Sequence, residues 1–477
     1  MELPRYRAEY QGVQKRENII RTDALVAATQ AWSDQVRDLP VTPTLPRRAI
    51  LDRLARYDFA APVALAELAG DVEDLLAHGT VHATHPRYFG LFNPTVRAAG
   101  VVADTIAALY NPQVGGWWHA PAANELEHAA LAWFVRRVGL DPAESTAVFT
   151  SGGSEANHMG VLAALTRRIP GFAASGARAA TGAPVFYASD QAHDSFVKIA
   201  HATGLGRGAL RRIRTGPRHQ LDVTALRSEI ARDRAAGRLP FLVVGTAGTT
   251  ASGAIDPLDA LAAVCRDEEL SLHVDAAWGG IALLTDRLAH HLAGIARADS
   301  VTWDAHKTLP VPMGAGMFIA RGRAATAAAF EVHTAYLPDG EPGTVDFYQH
   351  SLQWSRRCIG LKVFMTLAEL GAPAIAAMVD RQVAMTALLR SELAAAGWTI
   401  ENDSPLPIVC FSHPALAADR AGALVRAVVA RGEVWLSEVR PQSGPSVLRA
   451  CITHADTTAD DVRALIGALA AGLRTLR

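Results

Sequence analysis

From about Thr146 onward, short apolar runs alternate with stretches of helical periodicity. Residues 146–150, 184–188, 241–246, 270–274, 299–303 and 316–320 have the length and composition of strands, and helices are predicted after Ser154, His193, Asp222 and Pro257. Strand and helix in turn predict a mostly parallel sheet covered on both faces, the α/β class. Residues 1–85 show helical periodicity broken by Pro40, Pro43 and Pro46 and read as a helical arm, with residues 86–360 as a large domain. Residues 361–477 read as a smaller α+β domain, with a long helix from Leu361, strand-like segments at 406–412 and 446–453, and a closing helix from Thr458.

The polar residues of interest fall at or just past the C-terminal ends of these strands, where open α/β sheets bind ligands. Ser151-Gly152-Gly153-Ser154 follows the first strand and opens a helix, so its amides and Ser154 can hold a phosphate; a loop of this kind also simply caps helices. His193 follows the second strand and can stack on a ring, donate a proton or only satisfy a loop. Gly248-Thr249-Thr250 follows the third, as a hydroxyl-bearing site or an ordinary turn. Asp275 ends the next strand among small and apolar residues, which calls for a cationic partner such as a pyridinium N–H, unless the residue caps a helix. Ala277 is small enough to let a flat ring lie against the chain. Lys307 ends the following strand ahead of an apolar segment, surroundings that disfavour an ammonium and lower its pKa; a surface lysine is the plainer alternative. Lys307 and Asp275 together supply what a pyridoxal phosphate enzyme needs: an amine that condenses with the cofactor aldehyde, and a carboxylate that keeps the pyridine nitrogen protonated.

Composition narrows the classes. A chain of 477 residues with 50% hydrophobic and 19% charged content can bury a large core. A formal net charge of −1 offers no basic field for nucleic acid. The longest uncharged stretch, 105–124, is interrupted by Asn111-Pro112-Gln113 and Gly115-Gly116, so no membrane span is expected. The charged N-terminus predicts no secretory signal or transit peptide, hence a cytoplasmic protein. Cys265, Cys358, Cys410 and Cys451 lack metal or disulfide spacing and read as buried thiols; no metal site is expected.

The chain resembles the group II pyridoxal phosphate-dependent amino acid decarboxylases, which include aromatic-L-amino-acid, glutamate and 2,4-diaminobutyrate decarboxylases. The resemblance runs from about His85 to Asp456 through His85-Pro86-Arg87-Tyr88-Phe89-Gly90, Asn124-Glu125-Leu126-Glu127, Thr150-Ser151-Gly152-Gly153-Ser154-Glu155-Ala156, His273-Val274-Asp275-Ala276-Ala277, Asp304-Ala305-His306-Lys307 and Ser355-Arg356-Arg357. It implies a fold type I homodimer with the active site at the subunit interface, an N-terminal arm clasping the partner and pyridoxal 5'-phosphate as cofactor. By the same resemblance Lys307 matches the lysine that carries the cofactor, Asp275 the pyridine-nitrogen carboxylate, His193 the ring-stacking histidine and Ala277 the small residue on the opposite face. Gly153 and Ser154 match the phosphate loop and Thr250 a cofactor-side threonine. Asp304 and His306 match the polar positions beside the lysine, although Asp304 is Asn in some relatives, which leaves its role open.

The implied reaction is decarboxylation of an L-amino acid to an amine, with Tyr336, in a loop contributed by the neighbouring subunit, returning a proton to Cα; a packing aromatic is the alternative for Tyr336. Members of the family with phenylalanine at that position, or asparagine at the histidine, tend toward decarboxylation-dependent oxidative deamination, which gives an aldehyde, ammonia and hydrogen peroxide. Tyr336 and His193 favour the amine. An aminotransferase would need a second carboxylate clamp, for which Arg449 is a candidate unless its role is structural, and a non-catalytic scaffold is disfavoured because no cofactor group is missing. The side-chain pocket maps to Leu91, Phe92, Trp118 and His119, with Leu91 where aromatic-specific members carry tyrosine and glycines at 115 and 116 in place of larger residues. This departure argues against an ordinary aromatic substrate, although Trp117 and Trp118 equally suit a core or a dimer interface.

Overall fold

The computed structural model describes residues 19–335, 341–440 and 445–476. Two sheets organise it. The larger contains β1 (Ser145–Thr150), β2 (Pro184–Ser189), β3 (Leu210–Ile213), β4 (Leu239–Thr246), β5 (Ser271–Asp275), β6 (Ser300–Asp304) and β7 (Gly316–Arg321), in the order β1-β7-β6-β5-β4-β2-β3. Only β7 runs against its neighbours, so β1 and β2 to β6 all point the same way. This is the mostly parallel α/β sheet expected from the alternating pattern.

Successive side chains of a strand face opposite sides, and both faces here are dry. On β2, Val185 and Tyr187 enter one apolar cluster while Phe186 and Ala188 enter another; on β4, Val243 divides in the same way from Leu242 and Val244. Every residue of β5 and β6 is buried. Near-continuous apolar runs of this kind are what a parallel sheet covered on both faces requires. The sequence pattern missed β3, because its Leu-Arg-Arg-Ile composition suits an edge, where charged side chains reach water and discourage further pairing.

The second sheet has the order β10-β11-β9-β8, from β8 (Thr399–Ile400), β9 (Ile408–Ser412), β10 (Ser437–Val439) and β11 (Val447–Cys451), all antiparallel. Its core also takes in Phe89, and a bridge pairs Tyr88 with Trp435, so the chain just before the large sheet is stitched to the small one. Helix Gly360–Ala395 serves both cores: Ile375 and Val379 pack with the large sheet's cluster, Leu389 and Leu393 with the small sheet's. By length and composition this helix is apolar enough to cross a membrane. It is instead broken at Gly371 (φ 69°), just before Pro373, and packs on helices Ala98–Tyr110, Pro121–Val138 and Ala459–Leu476. Gly371 is a position where only glycine adopts the left-handed backbone readily. The four cysteines are free and buried.

Three buried histidines, His85, His273 and His454, are each pushed down to about 4, chiefly by burial. Between pH 6.5 and 4 the unfolded chain therefore binds protons at these sites that the folded chain does not, and stability falls as pH falls through that window. Burial of Asp256 acts in the opposite sense, raising its carboxyl to about 6, so the folded chain takes up that proton first. His158, His306 and His350, also lowered by burial, act with the first three against this one carboxyl, and the urea midpoint is expected to be lower at pH 4.5 than at pH 7; an unchanged or higher midpoint would contradict this.

Candidate active site

The shared direction of β1, β2, β4, β5 and β6 brings their C-terminal ends to one edge. A cavity of about 270 Å³ opens there. All nine residues expected to hold the cofactor line it: Gly153, Ser154, His193, Thr250, Asp275, Ala277, Asp304, His306 and Lys307.

At one end, helix Gly153–Arg168 directs its N-terminal amides into the cavity. Glu155 in its first turn accepts from the Ser151 amide at 2.8 Å and the Ser151 hydroxyl at 2.7 Å, fixing the loop. The other Glu155 oxygen accepts from Gln353 at 2.8 Å, and Gln353 in turn accepts from Arg356 at 3.1 Å. Arg356 is sealed inside the protein against Glu127 at 2.9 Å, so the loop is tied to a buried ion pair. Gly153 is required by space: a Cβ there would sit 2.9 Å from Asp304 Oδ2 and 3.2 Å from Ala277 Cβ.

Asp275, at the end of β5, is 6% exposed. Its Oδ1 accepts from the Ala277 amide at 3.1 Å and its Oδ2 from the Asn157 side chain at 2.9 Å. A carboxylate has further acceptor sites, and a cationic N–H entering from the cavity would fill one. His193 stands on the exposed rim with Nδ1 accepting from the Ser195 amide at 3.2 Å, which leaves Nε2 as the ring's donor.

Lys307 lies in the single helical turn Ala305–Thr308 that follows β6, not on the strand itself. Its amine is 2.7 Å from Asp304 Oδ2, so the apolar surroundings expected for it are replaced by a buried carboxylate. That contact gives Asp304, left open by sequence, a definite position beside the amine. His306 accepts from the Ala315 amide through Nδ1 at 3.1 Å, and burial lowers its pKa.

Phe92 lines the cavity and stacks on Trp278, ring centroids 4.0 Å apart at 17°. Leu91, Trp118 and His119 do not line it within one chain. Leu91 and Trp118 are 45% and 40% exposed, because the turns that carry them face outward. Trp118 stacks on His119, which lines a separate apolar depression with Tyr110 and Leu126. Tyr336 lies outside the described residues. Arg449 directs its donors to the carbonyls of Thr250 and Gly90 and to Ser437, in keeping with the structural alternative for that residue.

Sequence reasoning did not single out Asn157, Thr246 or Trp278. The spacing of Asn157, three residues after Ser154 on one helix, was the available signal. Among the described residues, Thr246 Oγ1, Trp278 Nε1 and Asp304 Oδ1 are buried without a hydrogen-bond partner, and all three residues line the cavity. Unpartnered buried polar atoms are costly unless a polar ligand meets them. Together with an amine, a carboxylate and a helix N-terminus, they fit a small aromatic aldehyde phosphate.

The conserved domain of the pyridoxal-dependent decarboxylases matches residues 55–413. An aromatic-L-amino-acid decarboxylase of Bacillus atrophaeus is 29% identical over 394 residues, 80% of each chain. The mouse acidic amino acid decarboxylase GADL1 is 30% identical over 371 residues, 76% of this chain and 66% of that protein. Among solved structures, Oryza sativa TDC with PLP and tryptamine superposes with a TM-score of 0.88 at 24% identity, covering 97% of this chain and 99% of that one. Mouse CSAD in its apo form gives 0.87 at 24%, covering 94% and 98%. The chain thus has the fold of these proteins and belongs to the pyridoxal-dependent decarboxylase family, as a carboxy-lyase whose cofactor is pyridoxal phosphate.

Proposed function

We propose that the protein removes carbon dioxide from an L-amino acid and releases the amine, with Lys307, Asp275 and His193 as its central groups. The observation that carries this reading is their convergence on one cavity with the Gly153–Ser154 loop. When bound there, pyridoxal phosphate draws off the electron pair left on Cα as carbon dioxide departs. The Lys307 amine would hold the cofactor aldehyde, and Asp304 at 2.7 Å steadies that amine. Asp275 would hold a proton at the ring nitrogen. His193 would serve as the ring's stacking partner and Ala277 as the small neighbour that leaves it room, with Thr250 also in the lining. Amides of Gly153 and Ser154 take the phosphate. The chain's own contribution to rate and outcome would then be how it positions the substrate.

Tyr336 is proposed to deliver the proton to Cα. Its hydroxyl and the retained His193 favour amine over aldehyde; oxidative deamination is the second reading. A homodimer is part of the proposal. In its support, helices Thr22–Gln35, Arg47–Leu54 and Leu65–Gly79 bury none of their residues, and Leu54, Phe59, Leu65 and Leu76 stand exposed. In that dimer Leu91, Trp118 and His119 are proposed to serve the neighbouring cavity, beside Phe92, as its substrate pocket. The relatives act on aromatic and on acidic amino acids by their names, and the substrate here is proposed only as an L-amino acid.

Lys307→Ala is expected to abolish turnover and the visible absorbance of the holoenzyme, and retained activity would sink the assignment. Tyr336→Phe should shift product from amine toward aldehyde and peroxide, measured by coupled assay; an unchanged ratio would remove Tyr336 from the role. Sedimentation at micromolar concentration should give twice the 50.7 kDa chain mass. A monomer that retains full activity would contradict the dimeric site.

A further inference from the structure

Behind Asp275 stands a histidine that does not line the cavity. His273 is two positions earlier on β5, on the same face of the sheet, and fully buried. Its Nδ1 is 2.8 Å from Ser300 Oγ, and its Nε2 is 3.0 Å from Asn157 Oδ1 and 3.3 Å from Thr302 Oγ1. Asn157 is itself 2% exposed and donates through Nδ2 to Asp275 Oδ2 at 2.9 Å.

Donor and acceptor chemistry allows one arrangement. The Asp275 carboxylate only accepts, so the NH₂ end of Asn157 must face it and the amide oxygen must face the histidine. An amide oxygen also only accepts, so Nε2 of His273 carries the proton. Nδ1 then receives the Ser300 hydroxyl proton, and the ring is neutral with both nitrogens engaged. Burial, which lowers its pKa to about 4, keeps it so at working pH.

The surrounding chain is shaped to this ring. Gly160, on the helix that begins at the phosphate loop, has no side chain where a Cβ would lie 2.5 Å from His273 Nδ1. Phe196 meets the ring edge-on at 6.3 Å between centroids. An imidazole seated in this way has one orientation, and that orientation sets the direction of the Asn157 amide.

We propose that His273 is a positioning residue for the reaction: through its Nε2 proton it fixes the Asn157 amide, and through that amide it holds the Asp275 carboxylate in line with the cofactor ring nitrogen. The inference rests on Asp275 being the ring-nitrogen carboxylate. A flipped Asn157 would turn its oxygen toward Asp275, and two acceptors would then face each other without a proton between them.

The test compares His273→Phe, which keeps an aromatic ring but no donor, with His273→Gln, which returns an N–H donor near the Nε2 position. For His273→Phe, cofactor affinity of the apoenzyme and kcat of the holoenzyme are each expected to fall by about 10- to 100-fold, by analogy with the outer partners of metal ligands. KM should stay near wild type and the visible absorbance maximum of the bound cofactor should move, while His273→Gln recovers most of the loss. In an Asn157→Leu background, His273→Phe should add little, since the two act in series. If His273→Phe does not fold, Ser300→Ala carries the test: it deletes only the hydroxyl at Nδ1 and should move the same absorbance and affinity in the same direction. A His273→Phe enzyme with wild-type affinity, absorbance and kcat overturns the proposal, as do equal losses in the Gln and Phe variants or additive losses with Asn157→Leu. Asp275→Asn separates the two readings. Should it leave absorbance and kcat unchanged, the assignment of Asp275 fails and this inference with it; should it impair both while His273→Phe impairs neither, only the role of His273 falls.

Discussion

A carboxylate held almost wholly out of water at the end of β5 sets the terms for the site. Burying an ionised Asp275 is costly unless hydrogen bonds and a cation compensate it. The Ala277 amide and the Asn157 side chain supply two of those partners. The third place opens to the cavity, where a protonated ring nitrogen would satisfy it. Because β4, β5 and β6 are parallel and buried on both faces, the same edge that exposes Asp275 also presents Asp304 and the turn bearing Lys307. Positions far apart in the chain are made neighbours by one sheet.

The opposite end of the cavity is governed by a second buried charge. Glu127 and Arg356 are 0% and 1% exposed in their side chains, and removing one partner of such a pair costs about 3–5 kcal/mol. From Arg356 a line of hydrogen bonds runs through Gln353 and Glu155 to Ser151, so the loop that would take the phosphate inherits the rigidity of the core. The two ends of the site are therefore held by different means: a neutral side-chain network behind Asp275, and an ion pair behind the Ser151 loop.

Much of this was legible in the chain. The apolar runs of β4, β5 and β6 announce a parallel sheet, and Asp275, Lys307, His193 and the Gly153–Ser154 loop stand out because polar groups at the ends of such runs need a reason. What pattern reading misses is whatever depends on contacts between distant segments. Strand β3 is disguised by Arg211 and Arg212, which its edge position tolerates. Asn157 appears only as one more helical residue, and Asp304 gains a clear place only when Lys307 is seen 2.7 Å away. Leu91, Trp118 and His119 map to the family's side-chain pocket in sequence, yet the outward course of their turns separates them from the cavity of their own chain.

The central claim is that a single amine at the sheet edge carries the cofactor. The chain contains only four lysines, Lys15, Lys198, Lys307 and Lys362, which makes the assignment open to direct mapping. Lys362 is buried and donates to the Met313 carbonyl at 2.9 Å, while Lys307 lines the cavity and is the only lysine to do so among the described residues. Reduction of the holoenzyme with borohydride, followed by digestion and mass spectrometry of the peptides, reports the attachment point. The account predicts the pyridoxyl mass on the peptide containing Lys307, in stoichiometric amount; that mass on another lysine, or on none, would contradict it.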